Sequence, residues 1–185
     1  MTSQAPHMRG YFGIGIARCH KAGNIGNLIR TAHGFGASFA FLIRHRLTND
    51  SYHFDTAKSD TGLPVFEYED FADFKPPKRC KLVGIEITDD AVDLPSFRHP
   101  EQAAYILGGE RYSLSDELID ACDHVIKIPT RFSLNVATAG AIVLYDRLRT
   151  LGRFPERGVT PSAKIQPLAP HVHGGPIKRR EDSQR

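Results

Sequence analysis

Short runs of nearly unbroken apolar residues punctuate this chain: Tyr11–Ala17, Phe39–Ile43, Lys81–Ile87, Ala103–Leu107 and Val125–Ile128. Each is too short for a helix that hides itself, and none alternates apolar with polar. That is the pattern of strands covered on both faces, as in parallel sheets. Between the first two runs the period changes. Ile25, Leu28, Ile29, Ala32 and Phe35 recur at helical spacing, which predicts a helix over Asn24–Gly36 with Asn24 as its cap and Gly34 or Gly36 at its end. Val65–Tyr68 reads as a further strand, Glu69–Phe74 as a short helix, and Pro76 with Pro77 as a turn. Leu114–Ala121 reads as a helix capped by Ser113 or Ser115, and Ser133–Leu151 as the longest helix, started by Ser133. Strands alternating with helices predict an α/β fold, a mostly parallel sheet with helices on both faces.

Hydrophobic residues make up 41% of the 185, enough for one sizeable core. No apolar run is long enough to span a bilayer, and Met1–Arg9 lacks the apolar stretch of a signal peptide, so no membrane association is expected. Cys19, Cys80 and Cys122 are isolated from one another, which argues against a disulfide framework or a cysteine zinc site and favours a reducing, cytoplasmic setting. His171 and His173 form a single pair and do not make a metal site. Residues 1–154 carry as many basic as acidic side chains, so the net charge of +3 falls on residues 155–185. There Pro155, Pro161, Pro167, Pro170 and Pro176 interrupt any regular element. The expected organisation is a neutral domain, 1–154, followed by a basic, disordered tail, 155–185, able to neutralise phosphates or simply to keep the chain in solution.

Three segments carry chemistry. The first runs from Asn24 through Gly26 to Arg30 and Ala32, with Arg30 off the apolar stripe of its helix. The second ends a strand in Gly108 and Gly109, followed by Glu110, at the carboxyl edge where parallel sheets bind ligands. The third runs from Ile128 and Pro129 to Ser133, Leu134 and Asn135 at the start of the last helix, with the Asn135 amide expected to reach into a site. Gly13 and Gly15 do not form a dinucleotide fingerprint, since they lie inside a strand with no third glycine opening a helix.

In order and spacing these three segments resemble the motifs of the SpoU/TrmH family of RNA ribose methyltransferases, of the SPOUT class, over roughly residues 11–150. Two positions differ from that pattern. Glu110 continues into Arg111, Tyr112 and Ser113 without a second glycine, and the loop from Ile128 to Leu134 is short.

The resemblance implies a deep trefoil knot at the C-terminal end, an exception to the rule against knots. It implies S-adenosyl-L-methionine as methyl donor and no metal. The donor would be held by Gly108, Gly109, Ile128 and Leu134, with Ile85 and Glu86 nearby, and a side chain at position 108 would fill the donor's space. Arg30 would stabilise the oxyanion forming on a ribose 2′-hydroxyl, with Asn24, Glu110, Ser133 and Asn135 orienting it and the substrate. RNA is the implied partner, tRNA ahead of rRNA, and a homodimer the implied assembly. The last helix would pack on the core through Ala137, Ala141, Leu144 and Leu148, and meet a second subunit around Gly140 and Val143. Two alternatives stand beside this. One is an RNA-binding protein that kept the fold and lost catalysis. The other is a nucleotide-binding oxidoreductase, which would need a glycine fingerprint opening a helix and an acidic residue about 20 residues on, and no segment supplies both.

Overall fold

A computed structural model describes residues 10–44, 62–109, 112–157 and 160–161. Its seven strands form one sheet in the order β3-β2-β1-β6-β4-β7-β5, and every pairing in it is parallel. The strands are β1 (Tyr11–Ala17), β2 (Phe39–Ile43), β3 (Val65–Tyr68), β4 (Lys81–Ile85), β5 (Val92–Asp93), β6 (Gln102–Gly108) and β7 (His124–Lys127). β1, β2, β4 and β6 are buried almost throughout, while β3 and β5 at the two edges are largely exposed. This gradient explains why the central strands read as continuous apolar runs. The two-residue β5 leaves no such trace and was not anticipated.

Helices α1 (Ala22–Gly34) and α3 (Val136–Leu151) cover one face, and the short α2 (Asp116–Asp120) lies on the other. On the first face Phe12, Ile14, Ile16, Tyr105 and Leu107 meet Ile25, Leu28 and Ile29 of α1 and Val143 and Leu144 of α3. On the second, Phe39, Phe41, Leu82 and Ile106 pack with Phe74, Leu114 and Leu118. The helix anticipated over Glu69–Phe74 is a single 3₁₀ turn, Phe71–Asp73. Asp70 caps it by accepting from the Phe71 N–H, and its carboxylate also pairs with Arg44.

Gly13 and Gly15 are explained by this packing. A Cβ on Gly13 would strike the Phe39 ring, and one on Gly15 the Phe41 ring and main-chain oxygen. The glycines make room for the two rings of the neighbouring strand, which stack on one another and, through Phe41, on Phe74 at 4.4 Å.

Three helix starts differ from expectation. α1 begins at Ala22 with Lys21 as its N-cap residue, so Asn24 lies within the first turn. α1 ends as expected, with Gly36 at φ +72° and N–H bonds from Gly36 to His33 and from Ala37 to Ala32. Ser115 precedes α2, but its side chain makes no cap bond. α3 begins at Val136, and its cap is Asn135, not Ser133, which lies too far upstream to reach the first free N–H groups.

The buried side of α3 is also rotated from the expected stripe. It runs through Val136, Ala137, Gly140, Val143, Leu144 and Arg147, with Ala141 and Leu148 only partly buried. Gly140 faces α1, where a Cβ would come within 2.5 Å of Leu28 Cδ1. The small-residue face around Gly140 and Val143 is thus used inside the chain, because α3 must approach α1 closely to cover β1 and β6. It does not wait for a second subunit.

Arg147 ends this stripe as a fully buried cation. Its guanidinium lies 4.5 Å from the Phe12 ring centroid and donates to the carbonyls of Pro100 and Glu101 and to the Tyr105 hydroxyl. Tyr105 in turn lies 2.6 Å from Nδ1 of His99, whose Nε2 is 3.1 Å from Asp146. A neutral His99 satisfies this chain in one direction. Tyr105 donates to Nδ1, and the Nε2–H donates to the Asp146 carboxylate. Burial pushes the Tyr105 hydroxyl up to about 12, which keeps it a donor.

Candidate functional site

Because every strand runs the same way, all their carboxyl ends meet at one edge. The chain moves outward from β1 toward β3, yet β6 is inserted on the other side of β1 and leads away toward β7. The ends of β1 and β6 therefore flank the point where connections diverge, where α/β sheets leave a crevice.

A cleft of about 510 Å³ opens there. Most of its wall comes from five places in the sequence: Lys21 after β1; Ile85, Glu86 and Ile87 at the end of β4; Leu107, Gly108 and Gly109 at the end of β6; Lys127, Ile128 and Thr130 at the end of β7; and Ser133 to Val136 with Ala139 at the start of α3. Tyr112 and Ser113 close it from the loop before α2. The volume suits a nucleoside-sized ligand, and Ile85, Leu107, Ile128, Leu134 and Val136 offer an apolar surface for a flat ring.

Ile85, Gly108, Gly109, Ile128 and Leu134, the expected donor contacts, all lie in this wall, as do Ser133 and Asn135. The reason for the glycines is not the expected one. A Cβ on Gly108 would lie 2.7 Å from the Tyr112 carbonyl oxygen and 3.0 Å from the Leu114 nitrogen, and one on Gly109 would strike the Arg18 carbonyl. Both vacant positions face protein backbone, so a side chain would displace the wall of the cleft and not enter the ligand space directly.

Glu86 braces the same wall. Its carboxylate accepts from the Ile87 N–H at 2.9 Å and from the Leu114 N–H at 2.9 Å, tying the end of β4 to the loop before α2. Lys127 donates to the Thr88 carbonyl at 3.1 Å. Glu86 is the single acidic side chain among the described lining residues, against Lys21 and Lys127, so the cleft favours a ligand rich in acceptors.

Asn135 is committed mostly to structure. Its Oδ1 accepts from the N–H groups of Ala137 and Thr138, and its Nδ2 donates to Asn24 Oδ1 at 3.0 Å. Its Oδ1 is thus taken up by the cap, and its link to Asn24 joins the first and third sequence motifs at the cleft wall. Arg30 lies on the exposed side of α1 and is not among the cleft-lining residues. Glu110, most of the tail (158–159 and 162–185) and with it the His171–His173 pair lie outside the described residues.

Lys21, Tyr112, Lys127 and Thr130 were not singled out from sequence. Lys127 could have been, since it directly precedes Ile128 at the carboxyl end of a strand, whereas Tyr112 enters only because its loop folds back over Gly108. Among the described residues, no group of three or more His, Cys, Asp or Glu side chains is placed to hold a metal, and no helix is long and apolar enough to cross a membrane.

Residues 12–145 match the model of a family described as the SpoU rRNA Methylase family. Relatives include an uncharacterized tRNA/rRNA methyltransferase of Archaeoglobus fulgidus, 33% identical over 134 residues, a match covering 68% of this chain and 59% of that protein. A tRNA (guanosine(18)-2′-O)-methyltransferase of Mus musculus is 28% identical over 138 residues, covering 70% of this chain and 9% of its own length. Among solved structures, the SpoU methyltransferase AviRb from Streptomyces viridochromogenes, in complex with the cofactor AdoMet, superposes with a TM-score of 0.63 at 27% identity, covering 78% of this chain and 62% of that one. The match thus spans about three fifths of the archaeal relative and less than a tenth of the mouse one.

Proposed function

Because the chain belongs to the SpoU rRNA Methylase family, we propose that it transfers a methyl group from S-adenosylmethionine to a ribose 2′-hydroxyl of RNA. One observation carries this reading. Ile85, Gly108, Gly109, Ile128 and Leu134, separated along the chain, converge on one cleft at the switch point of a parallel sheet. The donor supplies an electrophilic methyl on a sulfonium. The ribose oxygen forms its bond to that carbon as the carbon–sulfur bond breaks, and the hydroxyl proton passes to a base or to water.

The cleft fits such a donor. Ile85, Ile128 and Leu134 would hold the adenine, the main chain at Gly108 and Gly109 its polar edges. Glu86, already bonded twice, would keep the wall in place, and Ser133 would face the substrate. Arg30 would stabilise the negative charge growing on the ribose oxygen, since a guanidinium stays protonated and is a poor base. Asn24 and Glu110 would help orient it.

Arg30 does not line the cleft of its own chain, which favours a homodimer in which α1 of a second copy approaches the cleft mouth. A knotted path into α3 belongs to the same reading. So does the division into a catalytic domain, 1–154, and a basic tail, 155–185. That division is supported by the way the chain separates into Met1–Arg153 and Phe154–Arg185. The isolated cysteines support a cytoplasmic setting. We take tRNA as the first substrate to test and rRNA as the second, following the relatives' names.

The test is a pair of measurements on wild type and Arg30→Ala. Calorimetric affinity for S-adenosylmethionine should stay within about twofold, while methyl transfer to RNA falls by about 10²–10³-fold. Loss of donor binding in wild type would instead make the chain an RNA-binding relative without catalysis. Mapping ribose methylation in a strain lacking the chain identifies the nucleotide.

A further inference from the structure

The loop from β7 to α3 supplies much of the cleft wall through Ile128, Thr130, Ser133, Leu134 and Asn135. Between them in sequence sits Phe132, which is not among the cleft-lining residues and is 75% exposed, more than any other large apolar side chain described. A single exposed Phe on a surface is ordinary. This one is unusual in where it stands and how firmly it is held. Pro129 restricts the entry to the loop. Within it the Thr130 hydroxyl donates to the Phe132 carbonyl at 2.8 Å, and the Asn135 cap anchors the exit. The ring is therefore presented to solvent on a constrained backbone, so that binding need order only the side chain.

Its neighbours suit one kind of partner. Arg131 precedes it and is exposed, Lys21 and Lys127 line the cleft beneath, and both oxygens of Glu86 already accept main-chain N–H bonds. Tyr112, 52% exposed, also lines the cleft, with the His20 ring edge-on to it at 6.2 Å. Aromatic faces set among cations are what unpaired nucleotides require, because every base has a π-face and every linkage a negative charge.

We propose that Phe132 is a stacking platform for a nucleobase beside the nucleotide whose ribose is methylated, with Arg131 meeting the adjoining phosphate. The proposal rests on the reading of the cleft as an RNA methyltransferase site, and adds the residue that would hold the RNA there. A chain with a short loop at this place has few backbone groups to offer the RNA, and one rigid ring supplies contact area that does not depend on the identity of the base.

The chain contains no tryptophan, so Phe132→Trp introduces its one indole emitter. The titrant is unfractionated tRNA from a strain lacking this chain. Indole emission should fall saturably as this RNA is added, and the variant should keep methyl transfer. Phe132→Ala should raise KM for the RNA about tenfold, with kcat and S-adenosylmethionine affinity within about twofold of wild type, and Phe132→Tyr should restore KM.

Emission that ignores RNA while Phe132→Trp still methylates it overturns the proposal. So does emission that changes on protein dilution without RNA, which would make the ring a contact between copies of the chain. A drop in donor affinity in Phe132→Ala would mark the ring as a support of the cleft and also overturn it. Should wild type neither bind nor methylate this RNA or rRNA, the functional reading fails and this inference falls with it. If wild type methylates and Phe132→Ala is indistinguishable from it, only the inference fails.

Discussion

Asn135 donates its amide hydrogen to Oδ1 of Asn24 across 3.0 Å, and so ties the first turn of α1 to the cap of α3. The two residues are 111 positions apart. The same Asn135 accepts from the N–H groups of Ala137 and Thr138, so one side chain both starts a helix and fixes where that helix stands beside its neighbour.

Removing that cap should be measurable. Asn135→Ala is expected to lower stability by about 1 kcal/mol, read from urea denaturation. Asn135→Asp keeps the cap, because a carboxylate accepts from the same N–H groups, but loses the donor to Asn24 and should fall between wild type and Asn135→Ala. If Asn135→Asp folds normally but loses methyl transfer, the amide does more than cap.

Gly108 and Gly26 make a contrasting pair. Gly108→Ala puts a carbon 2.7 Å from the Tyr112 carbonyl oxygen and must move the loop that closes the cleft. Donor affinity should fall by about tenfold. Gly26→Ala meets nothing within 4 Å and lies inside α1, so it should raise stability by about 0.5–1 kcal/mol and leave donor affinity unchanged. Calorimetry and denaturation on both variants check this.

Arg147 should be hard to replace. Arg147→Met keeps much of the apolar stem but leaves the carbonyls of Pro100 and Glu101 and the Tyr105 hydroxyl without their donor. The expected loss is about 2–4 kcal/mol. Thermal denaturation would show whether a buried cation with no carboxylate bonded to it among the described residues matters that much.

His99 should make stability depend on pH. Burial, the largest effect, pushes the ring's pKa below its usual 6.5, outweighing the opposing bond and charge of Asp146. Below 6.5 the unfolded chain takes up a proton that the folded ring resists. Stability is therefore complete above that value and declines as pH falls from it toward the lowered folded pKa. Denaturation midpoints of wild type should drop more between about pH 7.5 and about pH 5.5 than those of His99→Gln. Equal drops would place the pH dependence elsewhere.

The central strands were legible because burial on both faces leaves no room for polar residues, so β1, β2, β4 and β6 announce themselves as apolar runs. β3 kept enough of that signal to be found, whereas β5 did not: its two exposed residues are strand only because β7 lies beside them. The apolar side of α1 was read correctly from Ile25, Leu28, Ile29 and Ala32. That of α3 is legible only at Ala137 and Leu144, because Ala and Gly carry little hydrophobic weight and a buried Arg147 carries the wrong sign.

At the cleft, the order of residues along the chain already picks out the segments that matter. The spacing of Gly108 and Gly109 after a strand, and of Ile128 and Leu134 before a helix, is local information that the backbone must obey. How each side chain is used follows instead from the packing of the folded elements. Asn135 became a cap because the helix begins one residue after it, the glycines proved to make room for backbone that returns from Tyr112 and from Arg18, and Gly140 met α1 instead of a second copy. Such roles depend on what a residue touches across the fold. A one-dimensional pattern can place a residue on an element, but only the packing of elements supplies its neighbours.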